Sequence, residues 1–156
     1  MKNNYSNIFS FNRKTLGKTI NYLNNGNIAA LPTETVYGLG GNAYNKTSIE
    51  KIFKLKNRSK SNPLIIHYHN LSKAVHDVEI NRYFLKLYKK FCPGPITFIL
   101  NKRVDSKIHP LASAKLKTVA IRFPKHKIVR SILKKIDFPL AMPSANKSNN
   151  VSPVRA

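Results

Sequence analysis

Lys56 and Arg58 stand two apart in a run rich in hydroxyls and amides, Lys56-Asn57-Arg58-Ser59-Lys60-Ser61-Asn62. Two such cations just past a helix can converge on a triphosphate, with Ser59, Ser61 and Asn62 as neutral donors beside them. A solvated basic turn has the same composition, so the loop alone does not decide. Thr33, Thr35, Arg122, Ser144 and Asn146 fall where apolar, strand-like runs meet loops. In α/β proteins such junctions are where ligand groups gather.

Other chemistries are excluded by what is scarce. The six acids are Glu34, Glu50, Asp77, Glu79, Asp105 and Asp137. A glycosidase-type carboxylate pair or an all-carboxylate metal cage needs several of them at one site. Cys92 has no cysteine partner and the five histidines show no H-E-x-x-H spacing, so no protein-held metal is expected. His67 and His69 would share a face on a strand, which is thin support for a metal. Gly38-Leu39-Gly40-Gly41-Asn42-Ala43 fits G-x-G-x-x-G/A on paper. A dinucleotide fingerprint, however, sits directly between strand and helix, with an acid about 20 residues on. Here Pro32 to Tyr37 intervene and Arg58 lies where the acid is wanted. No G-x-x-x-x-G-K-[ST] run occurs, so a P-loop is absent.

The elements that must position these residues can be read from periodicity. Lys14 to Leu23 has Leu16, Ile20 and Leu23 at helical spacing and stops at Asn25-Gly26. Ile28 to Leu31 is a short apolar strand. Pro32 to Ala43 is glycine-rich and polar, without a clear period. Thr47 to Leu55, Asn81 to Phe91 and His126 to Ile136 read as helices. Leu64 to Tyr68, Ile96 to Leu100, Thr118 to Arg122 and Pro139 to Met142 read as strands, with Lys56 to Asn62 as a basic loop. Strands and helices intermix without strict βαβ alternation. The expected fold is therefore α/β, a mixed twisted sheet with flanking helices around a basic concave cleft.

At 156 residues the chain is one domain, residues 1–156, with enough length for a real core. No apolar run can cross a bilayer, the first ten residues lack a signal peptide's apolar stretch, and a lone cysteine fits a reducing, cytoplasmic setting. Lys and Arg number 28 against 6 acids, a net charge of +22. Richness in Asn and Ile points to compositional bias. That bias would raise Asp and Glu too, so part of the excess reads as selection for a polyanion. A solvated basic surface is the plain alternative, since the cations are spread without a block.

Six segments in order carry a family resemblance: L-P-T-E-T-V-Y-G-L-G (31–40), K-x-R (56–58), S-N-P-L-I-I-H (61–67), P-G-P-I-T (93–97), T-V-A-I-R-F-P (118–124) and P-S-A-N-K-S-N-N-V-S-P (143–153). Together they resemble the YrdC-like threonylcarbamoyl-adenylate synthases, which act in tRNA N6-threonylcarbamoyladenosine formation. The resemblance implies condensation of L-threonine, bicarbonate or CO2, and ATP into threonylcarbamoyl-AMP with release of pyrophosphate. By match to the family's motifs, Thr35, His67, Arg122 and Ser144 are implied to bind threonine. Lys56, Arg58, Asn62, Thr118, Asn146 and Ser152 are implied to bind ATP, with Lys56 and Arg58 as the catalytic cations. An arginine fork suits the threonine carboxylate, and in-line attack at phosphorus gains most from positioning and charge neutralisation. Lys56 and Arg58 are expected in a mobile loop that closes on the triphosphate. Mg2+ is expected on phosphate oxygens and water. The role of Glu34 stays open.

Two substitutions depart from the family pattern: Asn149 stands where a glycine is usual, and Val154 where a threonine is. The family domain also continues further, so the chain reads as lacking its C-terminal part. Two other functions remain open. One is a carbamoyl-adenylate-forming domain of the same fold; the other is a non-catalytic RNA-binding module. The charge supports the second, but RRM and KH signatures are missing. Affinity for tRNA or other double-stranded RNA is expected to be weak and salt-sensitive. A downstream tRNA threonylcarbamoyl transferase is the expected partner.

Overall fold

The computed structural model describes residues 7–148 and 150–155. Asn149 lies outside the described residues. The asparagines that look like compositional bias have local work, since Asn12, Asn45, Asn70 and Asn81 each cap a helix by accepting a backbone N–H. They open α1 (Arg13–Asn24), α2 (Lys46–Lys56), α3 (Leu71–Ala74) and α4 (Arg82–Phe91). Helix α5 (Lys127–Lys135) is capped by His126. Helix α2 ends on Asn57 at φ 48°, a left-handed conformation that Asn tolerates. Among the described residues no helix is long and apolar enough to cross a membrane.

Six strands form one mixed sheet: β1 (Ala29–Leu31), β2 (Gly38–Asn42), β3 (Ile65–His67), β4 (Thr97–Asn101), β5 (Thr118–Arg122) and β6 (Leu140–Ala141). Their spatial order is β1-β2-β6-β3-β5-β4. Strands β3 and β5 run parallel and the other pairs antiparallel. This is the mixed α/β sheet with flanking helices that the sequence predicts.

The register decides what each face carries. Ile66 and Ile121 are partners and fully buried, in a core that includes Ile49, Ile52 and Phe53 of α2 and Phe84 of α4. Their neighbours His67 and Arg122 are also partners, so they share the opposite face. Leu140, opposite His67, joins Leu23 of α1 and Val129, Ile132 and Leu133 of α5 in a second core on that side. Helices α1 and α5 thus cover part of this face. Next to them lies a cleft floored by Ile65, His67 and Arg122.

The glycine-rich segment departs from expectation. Gly38 to Asn42, where the sequence shows no clear period, is an interior strand that pairs with both β1 and β6. Its lack of apolar alternation has a steric cause. A Cβ on Gly38 would lie 2.4 Å from Met142 Cγ, and one on Gly41 would lie 3.0 Å from Ile28 Cγ2 and 3.2 Å from Ile52 Cδ1. Close approach to neighbours on both faces selects glycine where a strand ordinarily shows Val or Ile.

Candidate active site

The parallel pair β3 and β5 ends with two side chains of different chemistry on one face, His67 and Arg122. The loop between β1 and β2 crosses above them with Thr33, Glu34 and Thr35. The segment after β6 brings Ser144 beside Gly38 through an isolated antiparallel bridge. These three arms enclose a cleft of about 270 Å³ lined by Thr35, Arg58, His67, Arg122 and Ser144 among others. The sequence-predicted threonine residues Thr35, His67, Arg122 and Ser144 therefore meet in one place, with one cation of the predicted ATP set.

Arg122 is 8% exposed. Its Nη2 donates to Glu34 Oε1 at 2.6 Å and lies 3.4 Å from Thr35 Oγ1, while its Nε is buried without a partner. Burial alone would raise the Glu34 carboxyl; hydrogen bonds to backbone and to Arg122, with the guanidinium charge, outweigh it and hold the group below 4.5. Glu34 is the residue whose partner sequence reasoning missed. The one available signal was an acid inside a motif of a cation-rich chain. Its partner lies 88 residues away, beyond any local pattern.

His67 is buried, and desolvation with the Arg122 charge lowers its pKa from 6.5 to about 4. The ring is neutral near pH 7. Its Nδ1 faces Ile65 O at 3.2 Å, the geometry of a donor. Nε2 is then the acceptor, suited to a substrate N–H or O–H.

The cations expected together in a mobile loop separate. Lys56 is the last residue of α2 and 2% exposed. Its Nζ donates to Ser144 O at 2.6 Å and also to Asn146 O. Placement in an open loop is thus corrected for Lys56, because a helix ending against the 144–146 turn buries the ammonium on two carbonyls. Burial, with the nearby Arg58 charge, lowers its pKa. Arg58 does occupy the loop. It donates to Asn62 Oδ1 at 2.6 Å, Asn62 O at 3.1 Å and Pro63 O at 3.0 Å, all of them neutral acceptors.

The remaining predicted ATP residues lie around this end. Asn62 reaches the cleft through Arg58. Thr118 opens β5; extending the β3–β5 register by two residues sets it level with Pro63, the residue whose carbonyl holds Arg58. Asn146 Nδ2 donates to Lys147 O and Asn150 O, and Ser152 Oγ donates to Asn146 Oδ1 at 3.3 Å. Thr118, Asn146 and Ser152 do not line the cleft itself. Among the described residues no three His, Cys, Asp or Glu side chains gather as a metal site, and His69 does not join His67 in the cleft lining.

A larger, open cavity of about 540 Å³ lies elsewhere, beside Tyr44, Lys73 and Arg103. The buried Asp77 at its wall accepts from Tyr44, Tyr68, Ser106 and the Lys107 backbone. With all four positions filled, it serves as a structural hub.

Comparison with known proteins agrees with this fold. Residues 21–156 match the Sua5/YciO/YrdC family model, described as "Telomere recombination". The chain is 38% identical over 149 residues to a threonylcarbamoyl-AMP synthase of Bacillus subtilis, covering 94% of this chain and 42% of the relative. It is 40% identical over 137 residues to a threonylcarbamoyl-AMP synthase of Pyrococcus abyssi, covering 86% and 39%. The crystal structure of P. abyssi Sua5 complexed with L-threonine superposes with a TM-score of 0.87 at 35% identity, covering 93% of this chain and 42% of that one. The chain thus spans about two-fifths of the length of the curated relatives it matches. With the family model matching residues 21–156, the chain belongs to the Sua5/YciO/YrdC family.

Proposed function

We propose that this chain carries the adenylyl-transfer domain of a threonylcarbamoyl-AMP synthase. Its substrates are L-threonine, bicarbonate or CO2, and ATP, and its products are threonylcarbamoyl-AMP and pyrophosphate. The observation that carries this reading is the convergence of Thr35, His67, Arg122 and Ser144 on one cleft that Arg58 also enters. The relatives' names and the L-threonine complex of the P. abyssi protein support it.

In this reading Arg122 takes the threonine carboxylate through Nη1, which makes no hydrogen bond among the described residues. Neutral His67 offers an acceptor to the amine or hydroxyl. The unprotonated amine attacks CO2 and loses its proton to solvent, leaving a carbamate whose oxygen attacks the α-phosphorus as pyrophosphate leaves. Arg58 neutralises the triphosphate, and Lys56 holds the Ser144–Asn146 turn in place beside it. Thr118, Asn62, Asn146 and Ser152 bound the nucleotide end. Any Mg2+ would be carried by the triphosphate oxygens and water, since Glu34 is committed to Arg122. The product would pass to a tRNA threonylcarbamoyl transferase in the cytoplasm, and direct tRNA contact would be weak and salt-sensitive.

Pyrophosphate release from ATP tests the reading. Release that requires both threonine and bicarbonate is expected. Equal release with carbamoyl phosphate and no threonine would instead favour a carbamoyl-adenylate-forming domain. Tight RNA binding that survives Lys56→Ala with Arg58→Ala, without ATP turnover, would favour an RNA-binding module.

A further inference from the structure

Glu34 divides its two oxygens between two elements. Oε1 accepts from Arg122 Nη2 at 2.6 Å, and Oε2 accepts from the backbone N–H groups of Lys125 at 3.0 Å and His126 at 3.2 Å. His126 is the residue that caps α5. Thr33 and Thr35 flank Glu34 and touch each other at 3.1 Å, and Thr35 also reaches the same Nη2. One carboxylate therefore ties the loop carrying both threonines to the end of β5 and to the start of α5.

The tie leaves the guanidinium half used. Nη2 is engaged, Nε is buried with no partner, and among the described residues Nη1 makes no hydrogen bond. Nε is too enclosed for a ligand to reach, so Nη1 is the donor left for an incoming acceptor. An arginine pinned by one nitrogen also keeps its remaining donors at a fixed angle, so less side-chain freedom is lost on binding.

We propose that Glu34 is a positioning residue for amino-acid recognition, pinning Arg122 through Nη2 so that its Nη1 donors meet a ligand carboxylate. This rests on the reading of threonine as the amino acid bound. Glu34 acts through Arg122 and the Thr33–Thr35 loop and leaves the nucleotide end alone. Glu34→Gln keeps the shape and one acceptor but removes the charge.

Calorimetric titration of the full chain with L-threonine and, separately, with ATP tests the proposal. Glu34→Gln is expected to raise the threonine Kd about tenfold or more and to lower the thermal midpoint, while the ATP Kd of the folded variant stays near wild type. Glu34→Asp, which keeps the charge on a shorter reach, is expected to fall between the two and carries the test if Glu34→Gln does not fold. The Arg122 Nε–H proton, followed by NMR, is expected to exchange faster with solvent in either variant. Unchanged threonine affinity in a folded variant overturns the proposal, as does equal weakening of threonine and ATP. A wild-type chain that binds ATP but no threonine overturns the functional reading, and this proposal with it.

Discussion

The two ends of the cleft solve the same problem, holding a cation near a future anion, in opposite ways. At the strand end Arg122 has a carboxylate at 2.6 Å and is almost fully enclosed. At the loop end Arg58 and Lys56 are held by neutral oxygens of Asn62, Pro63, Ser144 and Asn146. A guanidinium already paired with Glu34 has part of its charge offset and is fixed in direction. At the loop end Lys56 is buried as a clamp, whereas Arg58 lines the cleft and, held by neutral oxygens, keeps its charge for an incoming anion. The first arrangement suits a small carboxylate that must be oriented, and the second suits a highly charged triphosphate that must be neutralised.

The comparison breaks most sharply at Arg122. Arg122→Ala should weaken threonine binding by on the order of 2–4 kcal/mol, since a desolvated carboxylate loses its charged partner. ATP binding should change little. If titration shows both ligands weakened alike, the two ends are not separate sites. The next largest effect is expected at Lys56. Lys56→Met keeps the length but leaves the carbonyls of Ser144 and Asn146 unpaired in a buried setting, a loss of about 3 kcal/mol in urea unfolding. An unchanged midpoint would mean that the 144–146 turn holds itself.

Much of this was legible in the sequence. Helices α1, α2, α4 and α5 and the strands β1 and β3 to β6 follow from apolar periodicity and Asn caps, which are local. Strand β2 was hidden because its residues are chosen by Met142, Ile28 and Ile52, groups that only the folded chain brings near. The cleft residues were found through ordered motifs, and the structure gathers Thr35, Arg58, His67, Arg122 and Ser144. Two features could not be read that way. The burial of Lys56 depends on contacts 88 and 90 residues distant, and the pairing of Glu34 spans 88. Ion pairing across the fold has no sequence period.

His67 sharpens the comparison with pH. Its folded pKa, about 4, lies below the ordinary 6.5 because burial and Arg122 disfavour the imidazolium. The unfolded chain therefore binds this proton first as pH falls. The stability from keeping His67 neutral is whole above pH 6.5 and is lost between there and about 4. The loss should be about 1 kcal/mol between roughly pH 7 and 5.5, approaching about 3 kcal/mol near pH 4. Glu34, whose carboxyl is lowered from 4.5, loses its contribution only below that value, in a separate acid window. Urea midpoints across pH would show the upper step in wild type and lose it in His67→Gln. A step that persists in His67→Gln belongs to another group.

The smallest effect is expected at the loop end, and it is the one that separates charge from structure. Arg58 bonds only to neutral oxygens, and its main side-chain partner, Asn62, is exposed. Water can replace the guanidinium at those oxygens, so Arg58→Ala should leave unfolding stability within about 0.5 kcal/mol. ATP binding should still weaken by about 1–2 kcal/mol, because one of the charges meant for the triphosphate is gone. That loss should shrink as salt rises, since the pair forms near solvent. Threonine affinity should hold, the reverse of Arg122→Ala. Arg58→Lys separates the remaining possibilities: a point charge without the fork should recover most ATP affinity if neutralisation dominates, and little if the bidentate geometry does. Should Arg58→Ala destabilise the chain by as much as Lys56→Met, the loop is a structural clamp like Lys56, and the contrast between the two ends of the cleft falls.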